Sequence, residues 1–275
     1  MHRFFINSDL RKGLEINLKN PTSHQIKNVL RMTEGDQFEL FNNTGNSYIA
    51  RYISFEGNSV KCLIIEQLKN LHEEIKINVF QSIIKTSKLE LIVEKLTEIG
   101  ISSFTPIVTE RTQRKDIDSL SENKLKRLKK ISIESSEQSG KVFIPTVNNM
   151  QKLKDLDISI PDSINIVFYE NIDGAKKINS LKKEVFNYKS VSVYIGPVGG
   201  FSDKEIEFFK SQKSEVINLG NTIFKSDTAS IVGIALLKYL ILDNLFFILF
   251  LVLIILSGVF ITRFVRLSFI LFDGA

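Results

Sequence analysis

From Ile75 onward the chain alternates strand-like and helix-like segments, and that alternation restricts its fold more than any other feature. Ile75-Lys-Ile-Asn-Val-Phe80 and Phe104-Thr-Pro-Ile-Val108 read as strands. Ile164-Asn-Ile-Val-Phe168, Val191-Ser-Val-Tyr-Ile195 and Val216-Ile-Asn-Leu219 are short apolar runs of the kind buried on both faces of a parallel sheet. Between them, Ser87-Lys-Leu-Glu90 has the form of a capping box. Leu89, Ile92, Val93, Leu96 and Ile99 then recur at helical spacing, and Gly100 stands at the stop. A basic helix is predicted over about 122–136. The pattern predicts an α/β domain with its ligand at the carboxyl ends of the strands.

Two of those strand ends bear glycine turns. Tyr194-Ile-Gly-Pro-Val-Gly-Gly-Phe-Ser202 and Leu219-Gly-Asn-Thr-Ile-Phe-Lys-Ser-Asp-Thr-Ala229 each leave an apolar strand and enter a helix. Glycine lets backbone groups approach a ligand with no Cβ in the way. Ser202-Asp-Lys-Glu205 reads as a capping box, with Phe201 and Ile206 placed as its hydrophobic staple. An ordinary β–α turn is the competing reading. The pattern is not G-x-G-x-x-G and no Walker lysine follows, so it gives little support to a phosphate loop.

The first 70 residues read differently. Gln37-Phe-Glu-Leu-Phe41, the turn Asn42-Asn-Thr-Gly-Asn46, a strand to Phe55, the turn Glu56-Gly-Asn58 and a strand to Glu66 predict a small barrel or sandwich. Residues 21–31 read as a short helix within it, and 68–74 as a linker. A length of 275 residues accommodates these two modest domains.

The formal charge is +5, and the window 111–130 alone, with eight basic and three acidic residues, has the same surplus. A local excess suits a patch that meets phosphates, and equally a solvated helix face. Cys62 is the only cysteine, which excludes an intrachain disulfide and agrees with a reducing, cytoplasmic compartment. His2, His24 and His72 have no ligand-spaced neighbours, so no metal site is expected. The first residues lack the apolar core of a secretory signal.

Residues 245–261 are seventeen uncharged, nearly all apolar residues. As a helix they would reach roughly 26 Å, at the low limit for crossing a bilayer. A membrane anchor, an interface helix in an oligomer and a foreign extension are all open readings.

Gly196-Pro-Val-Gly-Gly-Phe-Ser202 followed by Leu219-Gly220 and Ile223-Phe-Lys-Ser-Asp-Thr-Ala229 resembles the SPOUT methyltransferases, in the branch that modifies 16S ribosomal RNA. Arg3-Phe-Phe, His24-Gln-Ile-Lys-Asn-Val-Leu-Arg-Met-Thr-Glu-Gly-Asp36, Lys95-Leu-Thr-Glu-Ile-Gly100, Thr109-Glu-Arg-Thr112 and Glu134-Ser-Ser-Glu-Gln-Ser-Gly140 are similar too, over about residues 1–242. The resemblance implies a PUA-like β-barrel over 1–70, a trefoil-knotted α/β methyltransferase domain over 75–242, and a homodimer. Residues 243–275 have no counterpart in it. It also implies S-adenosylmethionine as methyl donor and N3 of one uridine in the 16S RNA of the small ribosomal subunit as acceptor. Carried across, the cofactor would meet Ile195, Gly196, Pro197, Gly199, Gly200, Leu219, Gly220, Ile223, Phe224, Thr228 and Ala229.

Lys225, Arg3 or Arg31 would stabilise the uridine anion, with Asp227 as a proton acceptor or, alternatively, only a helix cap. Arg3, Arg31, Arg111, Arg114 and Lys115 would contact RNA. The family's usual Glu is Val198 here, and its Arg and Glu in the last loop are Lys225 and Asp227. Val198 keeps open a rival reading, an RNA-binding homologue without activity, tethered to a membrane by its tail. Modification of another RNA site is a third.

Overall fold

A computed structural model describes residues 1–68, 75–171 and 175–242. The linker expected over 68–74 is described only at Leu68, and the tail with its three readings lies outside the described residues.

The first domain holds β1 (Arg3–Phe5), β2 (Glu15–Leu18), the helical turn α1 (Thr22–His24) widening through Gln25–Val29, β3 (Gln37–Phe41), β4 (Ser47–Glu56) and β5 (Ser59–Leu68). The five strands form one sheet in the order β1-β3-β4-β5-β2. β1 runs parallel to β3 and the other pairs are antiparallel. Two register shifts along β4 and β5, at Ile49/Ala50 and Tyr52/Ser54, add local twist. Phe4, Phe38, Leu40, Tyr52 and Ile64 fill the core, with Ile26 brought in by the helical turn. Cys62 is buried there, and desolvation pushes its thiol up to about 12.

The second domain runs β6 (Lys76–Ser82), α2 (Thr86–Ile99), β7 (Ser103–Val108), α3 (Arg114–Ser119), α4 (Glu122–Ser139), β8 (Thr146–Val147), β9 (Gln151–Lys152), β10 (Ser163–Phe168), β11 (Lys176–Lys177), β12 (Ser190–Ile195), α5 (Asp203–Ser211) and β13 (Glu215–Asn218). Residues 226–242 are helical and are called α6. The strands order as β11-β13-β10-β12-β6-β7-β8, with β9 beside β7, and every pair is parallel. Ile166, Val191 and Val193 are buried on one face of the sheet and Val167 and Tyr194 on the other, which explains the absence of polar alternation in those runs.

One helix start differs from expectation. α2 begins at Thr86 after Lys85 and has no side-chain cap. The box expected at Ser87–Glu90 does not form. The amides of Lys88 and Leu89 already bond to the Lys85 carbonyl, and Glu90 pairs instead with Arg127 of α4 at 2.9 Å. A tertiary partner thus outcompetes a local cap.

The two domains meet at α4. Arg3 pairs with Glu39 at 2.9 Å and donates to the carbonyls of Ser136 and Lys141, both at 3.3 Å. Its guanidinium also lies 5.1 Å from the centre of the Phe41 ring. The Phe5 amide donates to Glu137 at 2.9 Å, and the Ile144 amide to Asn43 at 2.7 Å.

Candidate active site

β10, β12 and β13 are neighbours, and their carboxyl ends open on a cleft of about 620 Å³ that includes its open mouth. Its first wall is the loop after β12. The Gly200 amide bonds to the Pro197 carbonyl at 3.0 Å, closing a tight turn with Gly200 at φ 68°. A Cβ on Gly196 would stand 3.1 Å from the Phe201 amide nitrogen, and one on Gly200 would strike the Glu170 carboxylate. These two positions accept only glycine without rearrangement.

Side chains brace this loop from three directions. Ser202 and Glu205 form the expected capping box at the start of α5. From the turn after β7, Arg111 donates to the Gly199 and Phe201 carbonyls at 3.0 and 3.1 Å. Ser202 donates to Glu110 at 2.5 Å, and the Glu110 amide to Glu205 at 2.8 Å. From α6, Ser226 donates to the Gly196 carbonyl at 2.5 Å. Buried Gln81 at the end of β6 donates to Ser226 at 2.9 Å and accepts from Ser230, fixing α6 beneath the loop.

The second wall is tied more lightly. The Asn218 side chain donates to the Tyr169 and Glu170 carbonyls at 3.3 and 3.0 Å and accepts from the Gly220 amide at 2.8 Å. Beyond it Gly220, Asn221, Thr222 and Ile223 are exposed, Ile223 to 75%. Tyr169 reaches towards Asp203 at 3.5 Å. Burial first, then the Asp203 and Glu170 charges, hold its phenol above the usual range.

Of the residues expected to meet a cofactor, Ile195, Gly196, Pro197, Gly200, Leu219, Gly220, Ile223, Phe224 and Ala229 line this cleft. Gly199 packs beside the Arg111 side chain, and Thr228 is exposed on α6. Sequence reasoning missed Phe168, Tyr169, Glu170, Phe201, Asn218 and Thr222, which also line it, and Ser226 of the expected second loop lines it as well. The signal for Tyr169 and Glu170 was their position just past an apolar strand, although no glycine marks that turn.

Asp227 sits in the first turn of α6 and pairs with Lys88 at 3.0 Å. Lys225 is exposed at the foot of the second loop. Arg3 is a correction to both roles expected for it. Its side chain is 10% exposed and its donors serve Glu39, the Ser136 carbonyl in α4 and the Lys141 carbonyl just beyond it, because closing the domain contact uses the same planar fork that would grip an anion. Arg111 is a loop brace by its bonding. Arg31 is exposed with φ 53°, Arg114 is exposed and stands 3.8 Å from Asp118, and Lys115 is exposed on α3. Among the described residues, no three His, Cys, Asp or Glu side chains gather as metal ligands. No described helix is long and apolar enough to cross a membrane.

The molecule is thus a small β-domain docked on a parallel α/β domain, with a backbone-built cleft at the strand ends. The chain belongs to the RNA methyltransferase family: that family's domain model matches residues 71–238, and an RNA methyltransferase PUA domain model matches residues 18–65. It is 29% identical over 243 residues to ribosomal RNA small subunit methyltransferase E of Rickettsia conorii, covering 87% of this chain and 96% of that one. The protein of the same name from Mesomycoplasma hyopneumoniae is 30% identical over 233 residues, covering 84% and 96%. A putative methyltransferase from Legionella pneumophila, solved with bound cofactor SAM, superposes with a TM-score of 0.75 at 25% identity, covering 86% of this chain and 96% of that one. Ribosomal RNA small subunit methyltransferase E from Neisseria gonorrhoeae shares the fold, with a TM-score of 0.77 at 23% identity over 87% and 98%.

Proposed function

We propose that this chain methylates the RNA of the small ribosomal subunit from S-adenosylmethionine, at N3 of a uridine. The observation that carries the reading is the cleft wall at residues 196–200, where a Cβ at Gly196 or Gly200 would collide with its surroundings. Such a wall presents amides and carbonyls to a nucleoside at close range. Residues of the two loops, with Phe168, Tyr169 and Glu170 opposite, would hold the cofactor. When bound, it supplies an electrophilic methyl group, and the transfer demands alignment and a deprotonated acceptor more than a protein nucleophile.

The acceptor's proton must leave, and Asp227 is the carboxylate we assign to take it. Lys88 at 3.0 Å orients that carboxylate. Lys225, exposed beside it in sequence, would offset charge on the acceptor ring. Arg31, Arg114 and Lys115 remain the RNA contacts we propose. We assign residues 1–70 to RNA binding and 75–242 to catalysis. The trefoil knot belongs to the same proposal, supported by α6 lying beneath the 196–200 loop through Ser226. So does a homodimer, supported by Leu236, Tyr239 and Leu242, an apolar stripe left exposed at helical spacing on α6.

The test adds methyl-labelled S-adenosylmethionine to small ribosomal subunits prepared without the modification. Label at uridine N3 is the expected outcome. Measurable cofactor binding with no label in the RNA would leave only the RNA-binding homologue that Val198 suggests.

A further inference from the structure

A second depression lies on the other side of Val198. It is an open groove of about 1250 Å³ between the start of α2 and the α3–α4 segment. Lys85, Lys88, Lys115 and Lys124 line it, against the single carboxylate of Asp116. Lys88 is taken by Asp227. Lys85, Lys115 and Lys124 have no ion-pair partner among the described residues. Thr86 and Ser119 share a hydrogen bond of 3.0 Å, joining α2 to α3.

Val198 is the one residue that lines both this groove and the cofactor cleft. It is apolar and 68% exposed. An exposed valine on a lip between two cavities has no packing role to explain it.

We infer that this groove seats the RNA backbone next to the target nucleotide, with phosphates on Lys85, Lys115 and Lys124 and the target base crossing Val198 into the cleft. The inference rests on the methyltransferase reading and adds to it the path by which the acceptor arrives. Unpaired ammonium groups around an open trough suit a run of phosphodiesters, since each phosphate contact releases counterions. Phosphate contacts set position and register rather than sequence. The apolar lip offers a face against which an unstacked base can rest on its way to the cleft.

The test measures binding of a small-subunit RNA fragment by fluorescence anisotropy across a potassium chloride series, for the full chain and for Lys85→Ala, Lys115→Ala, Lys124→Ala combined. Calorimetry with S-adenosylmethionine runs alongside. Removing three phosphate contacts should lower the slope of log affinity against log salt by about 2 to 3, with a loss of at least about tenfold in affinity at moderate salt. Cofactor affinity should stay within about twofold, because the three lysines do not line its cleft. A control triple, Lys154→Ala, Lys183→Ala and Lys204→Ala, should keep the slope to within about 1. An unchanged slope in the groove variant, or an equal loss in the control, overturns the inference while leaving the methyltransferase reading intact. Failure of the unaltered chain to bind the fragment at all overturns both. Val198→Ala, which trims the apolar face of the lip, should weaken RNA binding a few-fold without moving the salt slope; unchanged affinity would remove the lip from the path.

Discussion

The two glycine loops that face each other across the cleft are built in opposite ways. Residues 196–200 are held by a turn closed on itself, by Arg111 and Glu110 from the β7 side, by the α5 capping box and by Ser226 from α6. Residues 219–225 hang from Asn218 and the Ala229 amide, which bonds to the Lys225 carbonyl at 2.8 Å. One wall is therefore held in place by the protein itself. The other has few bonds to lose and can adjust around what enters. Preorganisation on one side limits the ordering cost of binding, and freedom on the other permits entry and release.

The largest effect expected from this contrast is at Gly200. Gly200→Ala places a Cβ at positive φ, costing about 1–2 kcal/mol, and drives it into Glu170. Cofactor affinity should fall by at least about tenfold from the backbone strain, since the exposed Glu170 carboxylate can swing aside. Calorimetry on the variant checks it, and near-normal affinity would mean that the first wall is as adaptable as the second.

Next comes the brace. Arg111→Ala removes both carbonyl contacts and should weaken cofactor binding by about tenfold, with the lysine variant intermediate because an ammonium lacks the planar fork. Little change in melting temperature would separate loop order from global stability.

A smaller effect is expected on the open wall. Ile223→Ala should leave stability within about 0.5 kcal/mol, since the side chain is already exposed. Cofactor affinity should still drop a few-fold, because Ile223 lines the cleft and its exposed side chain would be covered by a bound nucleoside. Equal affinity for variant and parent would show that this wall makes no contact with the cofactor.

The smallest effect lies away from both loops. Burial raises the Glu137 carboxyl above its ordinary 4.5, although the Phe5 amide opposes this. Its contribution to stability is therefore full below 4.5 and declines as pH rises through the higher folded value. Urea unfolding from acid to neutral pH should show that decline, and Glu137→Gln should flatten it while cofactor binding stays level. A decline of the same depth in the glutamine variant would assign it to another group.

The start of α5 was legible because its signal is local: Ser202 and Glu205 need only each other's backbone to make the cap. The same four-residue grammar misled at Ser87, where Glu90 had a stronger partner on α4. Arg3 misled for the same reason, its donors being claimed by a carboxylate and two carbonyls more than thirty residues away in the chain. Gln81 and Asn218 gave no sequence signal and Glu110 only its place in the Thr109–Thr112 motif, yet they tie several strand ends into one site. Apolar runs, glycine turns and a capping box fixed the kind of sheet and the loops that matter, because propensity, pleat and turn geometry act over a few residues. Which loop became rigid, which arginine became a brace and which lysines face the lip at Val198 were decided only when distant strands came together. Hydrogen bonds between residues a hundred positions apart depend on that assembly, and no short stretch of the chain encodes it.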